Sequence, residues 1–91
     1  MTFMLTRIHV EDYDAWKEAF DSDPAGARKT AQGYRVLRSV EDPNEVFISV
    51  EFPSSEEAKE GRQRLVDAGV LERVDVQNGP TIAEQAEVVG S

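Results

Sequence analysis

The chain has no cysteine, which removes disulfide staples and thiolate metal sites together. It has a single histidine, too few for a histidine-built metal centre. Positive charge is scarce: 18 acidic residues stand against 10 basic ones, for a formal charge of −8. Nucleic-acid binding and adhesion to an anionic membrane both draw on positive charge, so neither partner is expected. The nearest approach to a basic cluster, Arg62 and Arg64, sits among Glu56, Glu57 and Glu60. No apolar run reaches membrane-spanning length, and the N-terminus lacks the cationic start and long apolar stretch of a signal peptide. A cytoplasmic protein is the expectation. No glycine-rich phosphate loop and no nucleophile turn occurs. Asp21-Ser22-Asp23-Pro24-Ala25-Gly26 half resembles a calcium loop, but Ala25 stands at the fifth position, where an oxygen ligand is required, and Gln32 at the twelfth, where a bidentate glutamate is required.

What the chain does have is an ordered alternation of hydrophobic periods over 91 residues, consistent with one small domain spanning 1–91. Thr2 to Val10 alternates as a strand, with Met4, Thr6, Ile8 and Val10 on one face and Phe3, Leu5, Arg7 and His9 on the other. A helix follows from an Asp12 cap, carrying Tyr13, Trp16 and Phe20 as an aromatic stripe. Pro24 suits the first turn of a new helix, which predicts a second helical piece to about Gln32, ended by Gly33. Tyr34–Val40 and Val46–Phe52 read as strands joined by the Asp42-Pro43-Asn44 turn, hence antiparallel neighbours. Ser54 with Glu57 has capping-box spacing and opens another helix, which contains Gly61 and stops at Gly69. Residues 70–81 are ambiguous, because Asn78-Gly79-Pro80 has the composition of a turn; Ile82–Val89 then resumes strand spacing.

The order is β-α-β-β-α-β, an α+β ferredoxin-like fold with an antiparallel sheet. Right-handed crossovers place both helices on one face of that sheet. The other face would carry Phe3, Leu5, Leu37, Phe47 and Val89, with Arg7, His9, Ser49 and Glu51 among them. Such an apolar patch is large for a monomer, and a homodimer closed sheet against sheet is expected.

Trp16-Lys17 with Phe20, Gly33-Tyr34, Asp42-Pro43-Asn44-Glu45-Val46 and Ala68-Gly69-Val70 resemble, in order and spacing, the dimeric α+β barrel proteins grouped with antibiotic biosynthesis monooxygenases. The resemblance covers most of residues 3–89. It implies a subunit whose sheet joins a partner's sheet in a barrel, with a pocket between each sheet and its own helices. Members of that group include cofactor-free monooxygenases that form quinones, and haem-degrading enzymes. The oxygenases use an asparagine, a tryptophan and a tyrosine or arginine around the pocket, and the haem degraders a histidine on the second helix. In this chain the only asparagines, Asn44 and Asn78, fall in turn-like segments, the only tryptophan is Trp16, and the second helix has no histidine.

The residues leave these roles to weigh. Tyr13, Trp16, Phe20 and Tyr34 are the candidates to line an aromatic ligand pocket, with Trp16 and Tyr34 first because each joins a flat face to one polar atom; a stripe at helical spacing also serves as ordinary core. His9 and Arg7 are the candidate catalytic groups. Their plainer role is polar contact at a strand end or subunit seam. Arg7 and Glu51, on strands expected to pair, would form a salt bridge or hold a carboxylate. The leading expectation is a small dimeric domain resembling the monooxygenase-like family but without the recognised oxygenase residues, which binds a small aromatic or apolar molecule, or acts through association alone, with no cofactor or metal. The alternative is a cofactor-independent monooxygenase or cyclase acting on a phenolic or polyketide-type substrate, with haem binding through His9 as a third reading.

Overall fold

The structure, a computed structural model, describes residues 1–23 and 25–90. Strand β1 runs Thr2–His9, helix α1 Tyr13–Ser22, β2 Gly33–Arg38, β3 Glu45–Phe52, α2 Ser55–Asp67 and β4 Asp75–Glu84. The four strands form one antiparallel sheet in the order β2-β3-β1-β4. The central pair is β1 with β3, in a register that sets Thr2 opposite Phe52 and His9 opposite Glu45. This is the ferredoxin-like α+β arrangement.

Local chemistry explains the element ends. Asp12 accepts the Ala15 N–H at 3.2 Å and opens α1. Ser54 accepts the Glu57 N–H at 3.2 Å and opens α2. In the β2–β3 connection Asp42 Oδ1 accepts the Asn44 N–H at 3.0 Å, the side-chain turn that Asp-Pro-Asn promises. Gly69, at φ +69°, follows α2 and leads into a short 3-10 turn at Val70–Glu72.

The alternation of β1 places Met4, Ile8 and Val10 in the core, beside Val46, Val50 and Phe52 of β3. Two apolar clusters result. One joins Met4, Val50 and Phe52 to Ala58 of α2; the other joins Ile8, Val10 and Val46 to Tyr13 and Trp16 of α1. Phe52 is fully buried, worth about 2–3 kcal/mol relative to exposure. Helix α2 lies close to the sheet because Gly61 has no side chain: a Cβ there would stand 2.7 Å from the Ala27 carbonyl oxygen and 3.0 Å from Phe52 Cζ. Helix α1 behaves differently. None of its residues is fully buried, and no Cα of α1 lies within 8 Å of a Cα in another described helix or strand. It reaches the core of the sheet through the side chains of Tyr13 and Trp16.

Four sequence expectations are corrected. The segment expected to be a second helical piece is a run of turns over residues 27–30, with Pro24 outside the described residues. Asp23 takes a left-handed conformation (φ +45°) and ends α1, and its carboxylate satisfies the next turn instead of a new helix. Strand β2 stops at Arg38 and leaves Val40 wholly exposed, because the Ser39 hydroxyl accepts the Glu41 and Asp42 N–H groups and turns the chain. The fourth strand begins at Asp75 and ends at Glu84, so Asn78-Gly79-Pro80 lies inside it and Val89 beyond it. The pairing of β4 with β1 shifts register at Leu5–Arg7 and again at Arg7–Ile8. Gly79, at φ +85°, permits this bulge; a Cβ there would collide with the Leu5 carbonyl oxygen. Lastly, Glu51 faces Phe3 and not Arg7, whose nearest carboxylate is Glu45 at 3.8 Å.

The Gly61 contact yields a prediction. Gly61→Ala gains about 1 kcal/mol of helix propensity but drives a methyl into backbone and a buried ring, at a cost of about 1–3 kcal/mol. The urea midpoint should therefore fall; a higher midpoint would show that α2 does not pack this tightly.

Candidate functional site

A cavity of about 160 Å³ lies between α1 and the sheet. Its floor is the helix-facing side of the central strands: Met4, Thr6 and Ile8 from β1, Ile48 and Val50 from β3. Trp16 and Phe20 of α1 form one wall, and Leu65 of α2 with Val70, Leu71 and Val74 forms another. The lining is overwhelmingly apolar, with Thr6 supplying the hydroxyl on the floor and Asp23, Arg28 and Arg73 the charged groups. A dry cavity of about 150 Å³ with an apolar lining admits one benzene-sized ring.

The aromatic stripe is a continuous ladder. Tyr13 and Trp16 ring centroids lie 5.7 Å apart, Trp16 and Phe20 5.0 Å, and Phe20 and Tyr34 5.4 Å. Its two ends carry cations: the Arg38 guanidinium lies 3.8 Å from the Tyr13 ring, and that of Arg28 3.8 Å from Phe20 and 4.7 Å from Tyr34. Lys17 stands outside the ladder, 5.9 Å from the Phe20 ring, and its hydrogen bond to Asp21 at 2.5 Å holds its ammonium above the ordinary lysine value.

A loop closes the cavity at the C-terminal end of α1. Asp23 accepts the Ala27 and Arg28 N–H groups at 3.1 and 3.2 Å. The Arg28 side chain, 12% exposed, donates to the Phe20 carbonyl oxygen and approaches Asp23 at 3.8 Å. Arg64 reaches across from α2 to the Gly26 carbonyl at 3.5 Å, and Ala27 is buried between. One acid and two arginines thus fix the loop to both helices.

Of the residues singled out by sequence, Trp16 and Phe20 line the cavity, while Tyr13 and Tyr34 stand at the ends of the ladder outside the lining. Arg7 and His9 lie on the opposite face of the sheet, with Arg7 paired to Glu45 and His9 Nε2 3.5 Å from Asp42. The sheet therefore separates Arg7 and His9 from Trp16, and the three do not form one site. Sequence reasoning missed Arg28, Arg73 and the 70–74 segment. It placed Thr6 on the correct face without giving it a role, although a hydroxyl in an otherwise apolar inward set is itself a signal.

No known family profile matches the chain, and no curated protein matches it. Solved structures do. A protein named as a candidate antibiotic biosynthesis monooxygenase from Deinococcus radiodurans superposes with a TM-score of 0.67 at 14% identity, over 100% of this chain and 98% of that one. One of the same description from Chloroflexus aurantiacus gives 0.61 at 17% identity, covering 99% and 95%. A third, from Nitrosomonas europaea, gives 0.59 at 14%, covering 96% and 100%. The chain shares the fold of these three structures along essentially its whole length.

The closing loop can be tested at Asp23. Asp23→Ala removes both acceptors and leaves an alanine at positive φ, which should cost about 1–3 kcal/mol and speed amide exchange at Ala27 and Arg28. Asp23→Asn keeps an acceptor and tolerates the backbone, so it should lose less; equal losses would mean the carboxylate does not organise the loop.

Proposed function

We propose that this chain is a small ligand-binding domain of the monooxygenase-like fold, taking a single-ring aromatic or compact apolar molecule between α1 and the sheet. The observation that carries this reading is the cavity itself: ring-sized, lined by Trp16, Phe20 and aliphatic side chains, with a few polar groups at its margin. The stand-off of α1 supports it further, since a helix without buried residues can adjust to an occupant at little cost in packing. The candidate catalytic groups of the oxygenase alternative, Arg7 and His9, lie across the sheet from Trp16, so binding without that catalytic set is the better-supported reading.

Trp16 is the sole tryptophan and is therefore a built-in reporter. Titration with p-cresol should change Trp16 fluorescence and shift the NMR signals of Leu65 and Val74. Val74→Phe, which fills the cavity, should weaken binding while the far-UV spectrum stays native. Unchanged signals up to millimolar p-cresol would rule the reading out.

A homodimer closed through the open sheet face belongs to the same proposal. Leu5, Leu37 and Phe47 are 42%, 57% and 38% exposed on that face, around a shallow depression that also includes Arg7 and Thr81. Arg35 and Glu51 lie in the neighbouring depression on that face, giving it charges of both signs that a two-fold copy can pair. The protein should sediment at twice the 10.1 kDa of one chain, and Leu37→Asp should return it to one. A wild-type chain that stays single at micromolar concentration would refute the dimer.

A further inference from the structure

We propose that the cavity's occupant is an amphiphilic anion, an apolar body of about one ring bearing a carboxylate that pairs with Arg73. This rests on the reading of the cavity as a ligand site and narrows it to a chemical class. The argument is an account of charge around the lining. Among the described residues of the lining Asp23 is the one carboxylate, and two backbone N–H groups and Arg28 already engage it. Arg28 is likewise committed, to the Phe20 carbonyl, to Asp23 and to two aromatic faces. Arg73 remains. It is exposed at the cavity's margin, and among the described residues it has no ion-pair partner.

The acids beside Arg73 in sequence do not neutralise it. Glu72 turns back toward Gly69, its Oε2 lying 3.7 Å from where a Cβ would stand there. Asp75 pairs with His9 across the strands and so belongs to the opposite face of the sheet. The chain's formal charge of −8 acts from a distance and is screened beyond about 10 Å at moderate salt. The local sign at the mouth is positive. An arginine at the mouth of an apolar void suits a molecule with a greasy end and an acidic end, because the guanidinium fork matches a carboxylate.

Phenylacetate and phenylacetamide differ in charge and little in shape, which makes them the probes. Titrations followed by NMR and Trp16 fluorescence should show the acid binding about two- to fivefold more tightly than the amide, as expected for an ion pair with an exposed guanidinium. Arg73→Gln should bring the acid down to the affinity of the amide and leave the amide unchanged. Lys59→Gln, the same loss of charge on the outer side of α2, should alter neither. If the amide binds and the acid binds no better, the anion inference is wrong while the cavity reading stands. If the preference survives Arg73→Gln, Arg73 is not the anchor and the proposal fails. If neither probe binds, the cavity reading falls and takes this one with it.

Discussion

The register of β1 against β3 decides what the side chains of the sheet can touch. With Thr2 opposite Phe52 and Ile8 opposite Val46, the even-numbered residues of β1 turn toward the helices and the odd-numbered ones away. Met4, Thr6 and Ile8 thereby become a floor, and Arg7 and His9 become features of the far side. A slip of one residue would exchange the two sets completely. The chain's few groups suited to polar chemistry are consequently divided between two surfaces that the sheet itself keeps apart.

On the helix side, the two helices are held in opposite ways. Helix α2 approaches closely through Ala58 and Gly61, both buried, and packs on Phe52. Helix α1 is propped up by Trp16 and its neighbours and leaves empty space beneath. The void follows from large side chains acting as spacers at one end of the helix layer while small ones permit contact at the other. Arg28 and Arg64 pin the intervening loop to both helices by hydrogen bonds, and buried Ala27 of that loop bounds the space on that side.

Much of this was legible in the sequence. Period-two alternation assigned Met4, Ile8, Val46, Val50 and Phe52 to the core side, and the caps at Asp12 and Ser54 located both helices. Alternation assigns faces but does not say which residue opposes which, and that is why Arg7 was matched with Glu51 when the register gives it Phe47. Pro24 obeyed a sound rule for helix starts, yet the Asp23 carboxylate holds the following N–H groups in turns. Asn78-Gly79-Pro80 has the composition of a turn and serves as a bulge, since glycine's freedom fits both. Of the ligand wall, the aromatic stripe was visible; Arg28 and Arg73 were not, because they reach the void through loop geometry that no periodicity encodes.

The irregularity in β4 bears on how the molecule avoids unlimited stacking. β4 and β2 are the two outer strands of the sheet, the places where a foreign strand would add and start a fibre. Around Gly79 the pleat is interrupted, and Pro80 contributes no amide hydrogen, so one border offers a broken template. The other border is only six residues long and carries Arg35 and Arg38. An acidic protein without covalent cross-links thus blunts both rims against polymerisation, and the broad side of the sheet is left as the surface on which finite assembly can occur.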